Sequence, residues 1–245
     1  MRRFVADLHV HTALSPCASP DMTPPRIVAG AEALGLAMIA VCDHNSAGNA
    51  RAVTAAAGGG LAVLAGIEIT TAEEVHVLGL FPGCEEAEAA GATVLAGLPA
   101  WIPPQGRAPC EQRLLDPAGR IVGYESHLLA GSSVLTLAEA VVLIRAHGGL
   151  AVASHVDRRA FSVIGQLGFI PADVRFDALE VSAAGVARGR AAEFASSGLP
   201  LVSSSDGHAL EELGAGATVL EVEEASFAEL ALALRGEAGR RCGIA

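Results

Sequence analysis

The stretch DLHVHTALSPC, Asp7 to Cys17, decides how the rest of the chain is read. It continues an apolar run, Phe4 to Val10, that has the length and composition of a buried β-strand. Side chains alternate along a strand, so His9 and His11 face the same side at the point where the run ends. One histidine in such a place is readily explained as a core residue satisfied by a backbone carbonyl. The stretch becomes informative only if other strand ends carry the same kind of side chain.

They do. AVCDHN places Asp43 and His44 after the second apolar run, and GIEITT places Glu68 near the end of the third. His76 opens the next run after a short polar turn, which predicts a hairpin that brings it back toward Glu68. AVASHVDR carries His155 and Asp157, and VSSSDGH carries Asp206 and His208. Six of the eight histidines therefore sit at strand ends. Burying that many imidazoles and carboxylates without counter-charge is costly. Metal cations remove the cost, because neutral imidazole and carboxylate are their preferred ligands. His9, His11, His44, Glu68, His76, His155, Asp206 and His208 are too many for one ion of about four to six ligands, so two or three ions fit better. Glu68 and Asp206 are the natural bridges.

Between the apolar runs lie helical stretches. The alternation predicts an α/β fold, either a βα barrel or a doubly wound sheet, in one domain spanning residues 1–245. The pattern breaks from Pro82 to about Val134, which reads as an irregular, partly helical, lid-like insert.

Bulk properties narrow the function. All 16 basic residues are arginine, so a P-loop lysine, a Schiff-base lysine and a carbamylated metal-bridging lysine are excluded. The net charge of −11 argues against a duplex nucleic-acid surface and favours a small phosphorylated substrate, nucleotides among them. No apolar run approaches the roughly 18–20 residues of a membrane span. No leader pattern is seen, and five scattered cysteines make no disulfide framework; a cytoplasmic location is expected, and no membrane partner.

The ordered set DLHVHT, AVCDHN, GIEIT, SHVDR and SSSDGH resembles the successive motifs of the PHP (polymerase and histidinol phosphatase) family, from Phe4 to about Leu213. The resemblance implies a distorted (β/α)7 barrel with a trinuclear site at the strand C-termini. It carries the metal ligands onto His9, His11, His44, Glu68, His76, His155, Asp206 and His208, with zinc, manganese or iron as the ions. It looks nearest to the stand-alone phosphoesterase branch. Cys17 lies where other branches place a ligating histidine or aspartate. A thiolate ligand and a small residue packed beside the site both stay open for it.

The expected activity is hydrolysis of a phosphate ester of a small metabolite, nucleotide or oligonucleotide end. A metal-activated water would attack, with no protein nucleophile. Arg158 and Arg159 are candidates to clamp the phosphate. Asp7 and Asp43 are candidates to orient neighbouring ligands. A metal-dependent amidohydrolase and a non-catalytic metal-binding sensor domain are the alternatives.

Overall fold

The computed structural model describes residues 1–102 and 111–245. Residues 103–110 of the expected insert, Cys110 included, lie outside the described residues. The chain begins with β1 (Arg2–Val10), α1 (Pro24–Ala33), β2 (Met38–Val41), α2 (Ala50–Ala57), β3 (Ala62–Thr70) and β4 (His76–Phe81). Next come α3 (Cys84–Leu95), the pair β5 (Arg113–Leu115) and β6 (Ile121–Tyr124), then α4 (Leu137–Ala146) and β7 (Leu150–Ala153). The remainder runs α5 (Val163–Leu167), β8 (Ala178–Glu180), α6 (Ala183–Ala187), α7 (Ala191–Phe194), β9 (Leu201–Val202), β10 (Thr218–Val222), α8 (Phe227–Arg235) and β11 (Arg241–Ile244).

Among the described residues, nine strands form one sheet in the order β11-β10-β1-β2-β3-β4-β7-β8-β9. The sheet curls until β9 meets β11, nearly closing a barrel. β1, β2 and β3 pair in parallel, as do β7, β8 and β9; β4 runs antiparallel between the two groups. The C-terminal ends of six strands therefore open at one mouth. The N-terminal end of β4 opens there too, with Thr70 opposite His76 in the hairpin register.

The strands are apolar on both faces, as strands covered on both sides must be. Ala6, Leu8, Met38, Ala40, Leu64, Leu78, Leu80 and Val152 fill the barrel interior, which α8 closes with Leu230 and Leu234. Ile39, Val41, Ile67 and Ile69 point outward against Ile27, Val53, Ala90 and Ile144 of the surrounding helices. With few aromatics in the sequence, aliphatic side chains make nearly all of this packing.

The segment expected to be irregular is more ordered at its start. α3 packs on β3 and β4 as a regular member of the helical layer. The β5–β6 pair, which the sequence did not suggest, is tied to the rest by Asn49. Its amide donates to the Arg113 carbonyl at 2.9 Å and accepts from Leu115 N–H at 2.9 Å.

Candidate metal centre

A β-bulge aims the first two histidines. On β1, Asp7 pairs with Ile39 and Val10 with Val41, so three steps on one strand face two on the other. Ala6 and Leu8 point into the barrel, whereas Val10 points outward to the helices. The extra residue flips the alternation and turns His9 and His11 into the mouth, a recognised use of bulges beside functional sites.

Glu68 sits at the centre of a ring of imidazoles. His44 Nδ1 lies 2.9 Å from Oε2 and His76 Nδ1 lies 2.9 Å from Oε1. His155 Nε2 is 3.3 Å and His9 Nε2 3.5 Å from Oε1, and His11 Nε2 is 3.6 Å from Oε2. Yet both carboxylate oxygens are buried without a contact of hydrogen-bond geometry. On the other side, Asp206 Oδ1 is 3.0 Å from His11 Nε2 and 3.3 Å from His9 Nε2. The donor atoms fall into three overlapping groups: His11, His44 and His208; His9, His11, Glu68 and Asp206; and His44, Glu68 and His76. His155 and Cys17 border these groups without joining them.

Surrounding residues fix which ring nitrogen faces inward. His9 Nδ1 lies 3.1 Å from Glu180 Oε2, leaving Nε2 toward the cluster. Ser15 gives its only hydroxyl proton to Asp43 at 2.7 Å, so it accepts from His11 Nδ1 at 2.9 Å and from His44 N–H at 3.1 Å. His208 Nδ1 donates to the Asp206 carbonyl at 2.8 Å. His9, His11 and His208 thus each turn Nε2 toward the cluster, the orientation of a ligating imidazole. Six imidazoles around two acidic side chains, one of them Glu68 with both oxygens unsatisfied, are a donor set that fits divalent cations.

The electrostatics agree. Burial opposes charge on Glu68, but His76, His9 and His44 outweigh it and hold its carboxyl well below the usual range. Burial likewise opposes ionisation of Asp206, and His9 and His11 hold it ionised. Burial disfavours the His9 imidazolium, but Glu180, Asp206 and Glu68 raise its pKa well above the ordinary value. Burial and the neighbouring His44 push His11 well below. His44 is pushed up to about 10, because Glu68 and Cys17 overcome its burial. Partial burial raises the Cys17 thiol, but His208 and His44 outweigh it and pull it down to about 6.

The backbone is bent to suit. Asn45, His155, Phe161 and Asp206 hold left-handed φ values of +54°, +30°, +59° and +52°. Such strain in non-glycine residues gathers at functional sites. Asn45 keeps its place by donating to the Leu129 and Gly131 carbonyls while accepting from Thr70 N–H.

Of the other expected residues, Asp43 lies behind His11 and His44 through Ser15. Asp7 is farther out: it accepts from Ser205 N–H and Gly214 N–H, each at 2.9 Å, and so pins the loop that carries Asp206 and His208. Asp157 turns away to accept from Ser182 N–H and its hydroxyl, both at 2.7 Å. Arg158 Nη1 is 2.6 Å from Asp206 Oδ2. Arg159 lines a cavity of about 970 Å³ next to the cluster, together with Arg158, Arg188, Arg190 and Cys17. Sequence reasoning missed Ser15, Phe161 and Glu180. Glu180 carried a usable signal, since it too is a carboxylate at the end of a strand.

A family profile described as PHP-associated matches residues 185–238. No curated protein matches the sequence. Among solved structures, the lesion-specific endonuclease Endonuclease Q from Pyrococcus furiosus superposes with a TM-score of 0.72 at 19% identity. That match covers 98% of this chain but 58% of the endonuclease, so the chain spans less than two thirds of that protein. A protein assigned as a metal-dependent phosphoesterase from Bifidobacterium adolescentis matches at 0.56 and 22% identity, over 83% of this chain and 87% of its own. An amidohydrolase from Chromobacterium violaceum with bound sulfate matches at 0.59 and 21%, over 85% and 89%. The chain shares its fold with these structures, and the profile match is to a PHP-associated segment. The profile, which takes in the SSSDGH motif, and the fold both agree with the resemblance to the PHP family that the ordered motifs carry.

One expectation is overturned. The acidic sequence argued against a duplex nucleic-acid surface. Endonuclease Q, in complex with a 27-mer duplex carrying an abasic lesion at the active site, covers 98% of this chain with a TM-score of 0.69. The physical reason is that net charge is a sum over the whole surface. Here four arginines gather on a single cavity beside the cluster while most acidic residues lie elsewhere.

Proposed function

We propose that this chain is a metal-dependent phosphoesterase acting on a small phosphorylated metabolite, a nucleotide or an oligonucleotide end. The observation that carries this reading is Glu68: a buried carboxylate among five imidazoles, with neither oxygen in a contact of hydrogen-bond geometry. His9, His11, His44, Glu68, His76, Asp206 and His208 would hold two or three divalent ions, with His155 and Cys17 at the border. Bound ions would supply Lewis acidity and lower the pKa of water. The protein's own part is to orient His9, His11 and His208 with Nε2 toward the cluster and to bring anions to it. Arg159 and Arg188 suit the last task, since neither makes a salt bridge among the described residues. Planar guanidinium groups match phosphate oxygens in pairs.

The amidohydrolase alternative draws on the Chromobacterium violaceum neighbour. It is weakened by the absence of any lysine that could bridge two metals. Purified protein should be assayed with 4-nitrophenyl phosphate, nucleotides, single-stranded and abasic duplex oligonucleotides, and cyclic amides. Phosphate-ester turnover that disappears in the His9→Ala/His11→Ala variant, together with bound metal, supports the proposal. Amide turnover without ester turnover would sink it.

A further inference from the structure

Phe161 has a backbone and an exposure that ordinary packing does not explain. Its φ of +59° is one that bulky side chains rarely adopt. Its side chain is 41% exposed in a protein whose aromatics make up only 4% of the residues. The residue is nevertheless firmly held. Its carbonyl accepts from His76 N–H at 2.8 Å, and its ring lies on the His76 ring with centroids 4.6 Å apart and planes 21° apart. The next residue, Ser162, donates to the Arg158 carbonyl at 2.6 Å and caps α5 through Gly165 N–H. The loop from Arg158 to Ser162 is therefore closed on itself, and the strained φ is built in.

One face of the ring packs on His76, and the rest lines a cavity of about 300 Å³. The other walls include His44, Glu68, His155 and Arg158. Ala160 and Phe161 are the apolar walls of a cavity otherwise made of candidate metal ligands and one arginine. A substrate that reaches those ligands through this cavity meets the ring. A residue serving only to pack would be buried, and one serving only to turn the chain would be glycine or asparagine.

We propose that Phe161 is a specificity-determining residue whose open face stacks on a planar ring carried by the phosphate ester. The site would then favour aryl and nucleoside phosphates over alkyl phosphates. This rests on the phosphoesterase reading and adds the substrate class to it. Stacking of a base on one aromatic side chain corresponds to roughly five- to hundredfold in affinity.

The test is equilibrium binding of two phosphonates that cannot be hydrolysed, measured by calorimetry on protein saturated with Mn²⁺. Phenylphosphonate should bind at least about fivefold more tightly than methylphosphonate, the lower end of the stacking range. Phe161→Gly keeps the left-handed backbone without strain and removes the ring, so it should close the gap between the two ligands. Phe161→Tyr should restore it, and Phe161→Leu, which keeps apolar bulk without a flat face, should not. Equal binding of both ligands by the wild type, or a preference that survives in Phe161→Gly, overturns the role of Phe161 alone. Binding of neither phosphonate overturns the phosphoesterase reading along with it.

Discussion

Glu180 holds His9 by the nitrogen that faces away from the cluster. Both of its oxygens lie 3.1–3.2 Å from His9 Nδ1, and one also accepts from His155 N–H at 3.0 Å. A single buried carboxylate thus sets the tautomer of one candidate ligand and the backbone position of another. That second contact matters because His155 sits at a left-handed φ, which needs an external restraint to persist.

Glu180→Gln should therefore weaken metal binding without removing any donor atom. The amide keeps the shape but loses the charge that makes His9 a better ligand. Partners of this kind typically contribute about 10- to 100-fold in metal affinity or activity. Competition with a chromogenic chelator would measure it. An unchanged affinity would mean that His9 is oriented by its strand alone.

Metal binding should expel protons, because His9 and His44 are both raised by the carboxylates they face. His44, at about 10, is protonated at pH 7, and a cation cannot ligate an imidazolium. Metal affinity should therefore climb with pH from neutrality toward about 10, where His44 is half deprotonated. Calorimetry in two buffers of different ionisation enthalpy would count the protons released at pH 7. Release of none would show that His44 is already neutral there, and that Glu68 does not hold it charged.

Much of this site was legible because ligands at the ends of parallel strands leave a trace in linear sequence: an apolar run that stops at a histidine or carboxylate. His9, His11, His44, Glu68 and His208 are all of this kind, and the structure brings them together. His76 was legible for a different reason, since the turn before it dictated a hairpin. What was not legible depends on registration between distant segments. Ser15 links Asp43 to two imidazoles across 28 residues of chain. Glu180 reaches His9 across 171 residues. The bulge in β1 is invisible in a run where every residue suits a strand. The strand β11 was missed because Arg241–Ile244 has no alternation to announce it; it is recruited by pairing with β10. The duplex-binding question was misjudged because a sum of charges cannot report their placement.

Cys17 gives the clearest choice between two roles. Its thiol lies beside His44 and His208 and is pulled from an ordinary 9.0 to about 6. The folded chain then holds a thiolate at pH 7 where the unfolded chain holds a thiol. This contributes stability that is fully present above the unfolded value and is lost as pH falls through about 6. Alkylation by iodoacetamide, followed on the intact protein by mass, should show a rate midpoint near pH 6 at this residue. Cys42, buried and raised far above the ordinary range, should not react in the folded protein. If the thiolate ligates metal, loading with zinc should protect Cys17, and Cys17→Ala should lower bound metal per chain while Cys17→Asp restores part of it. If it only packs beside the site, metal content should be the same in all three proteins, and protection should be absent. A midpoint near the ordinary 9.0 would remove the premise of either role, because the two histidines would then not be acting on the sulfur at all.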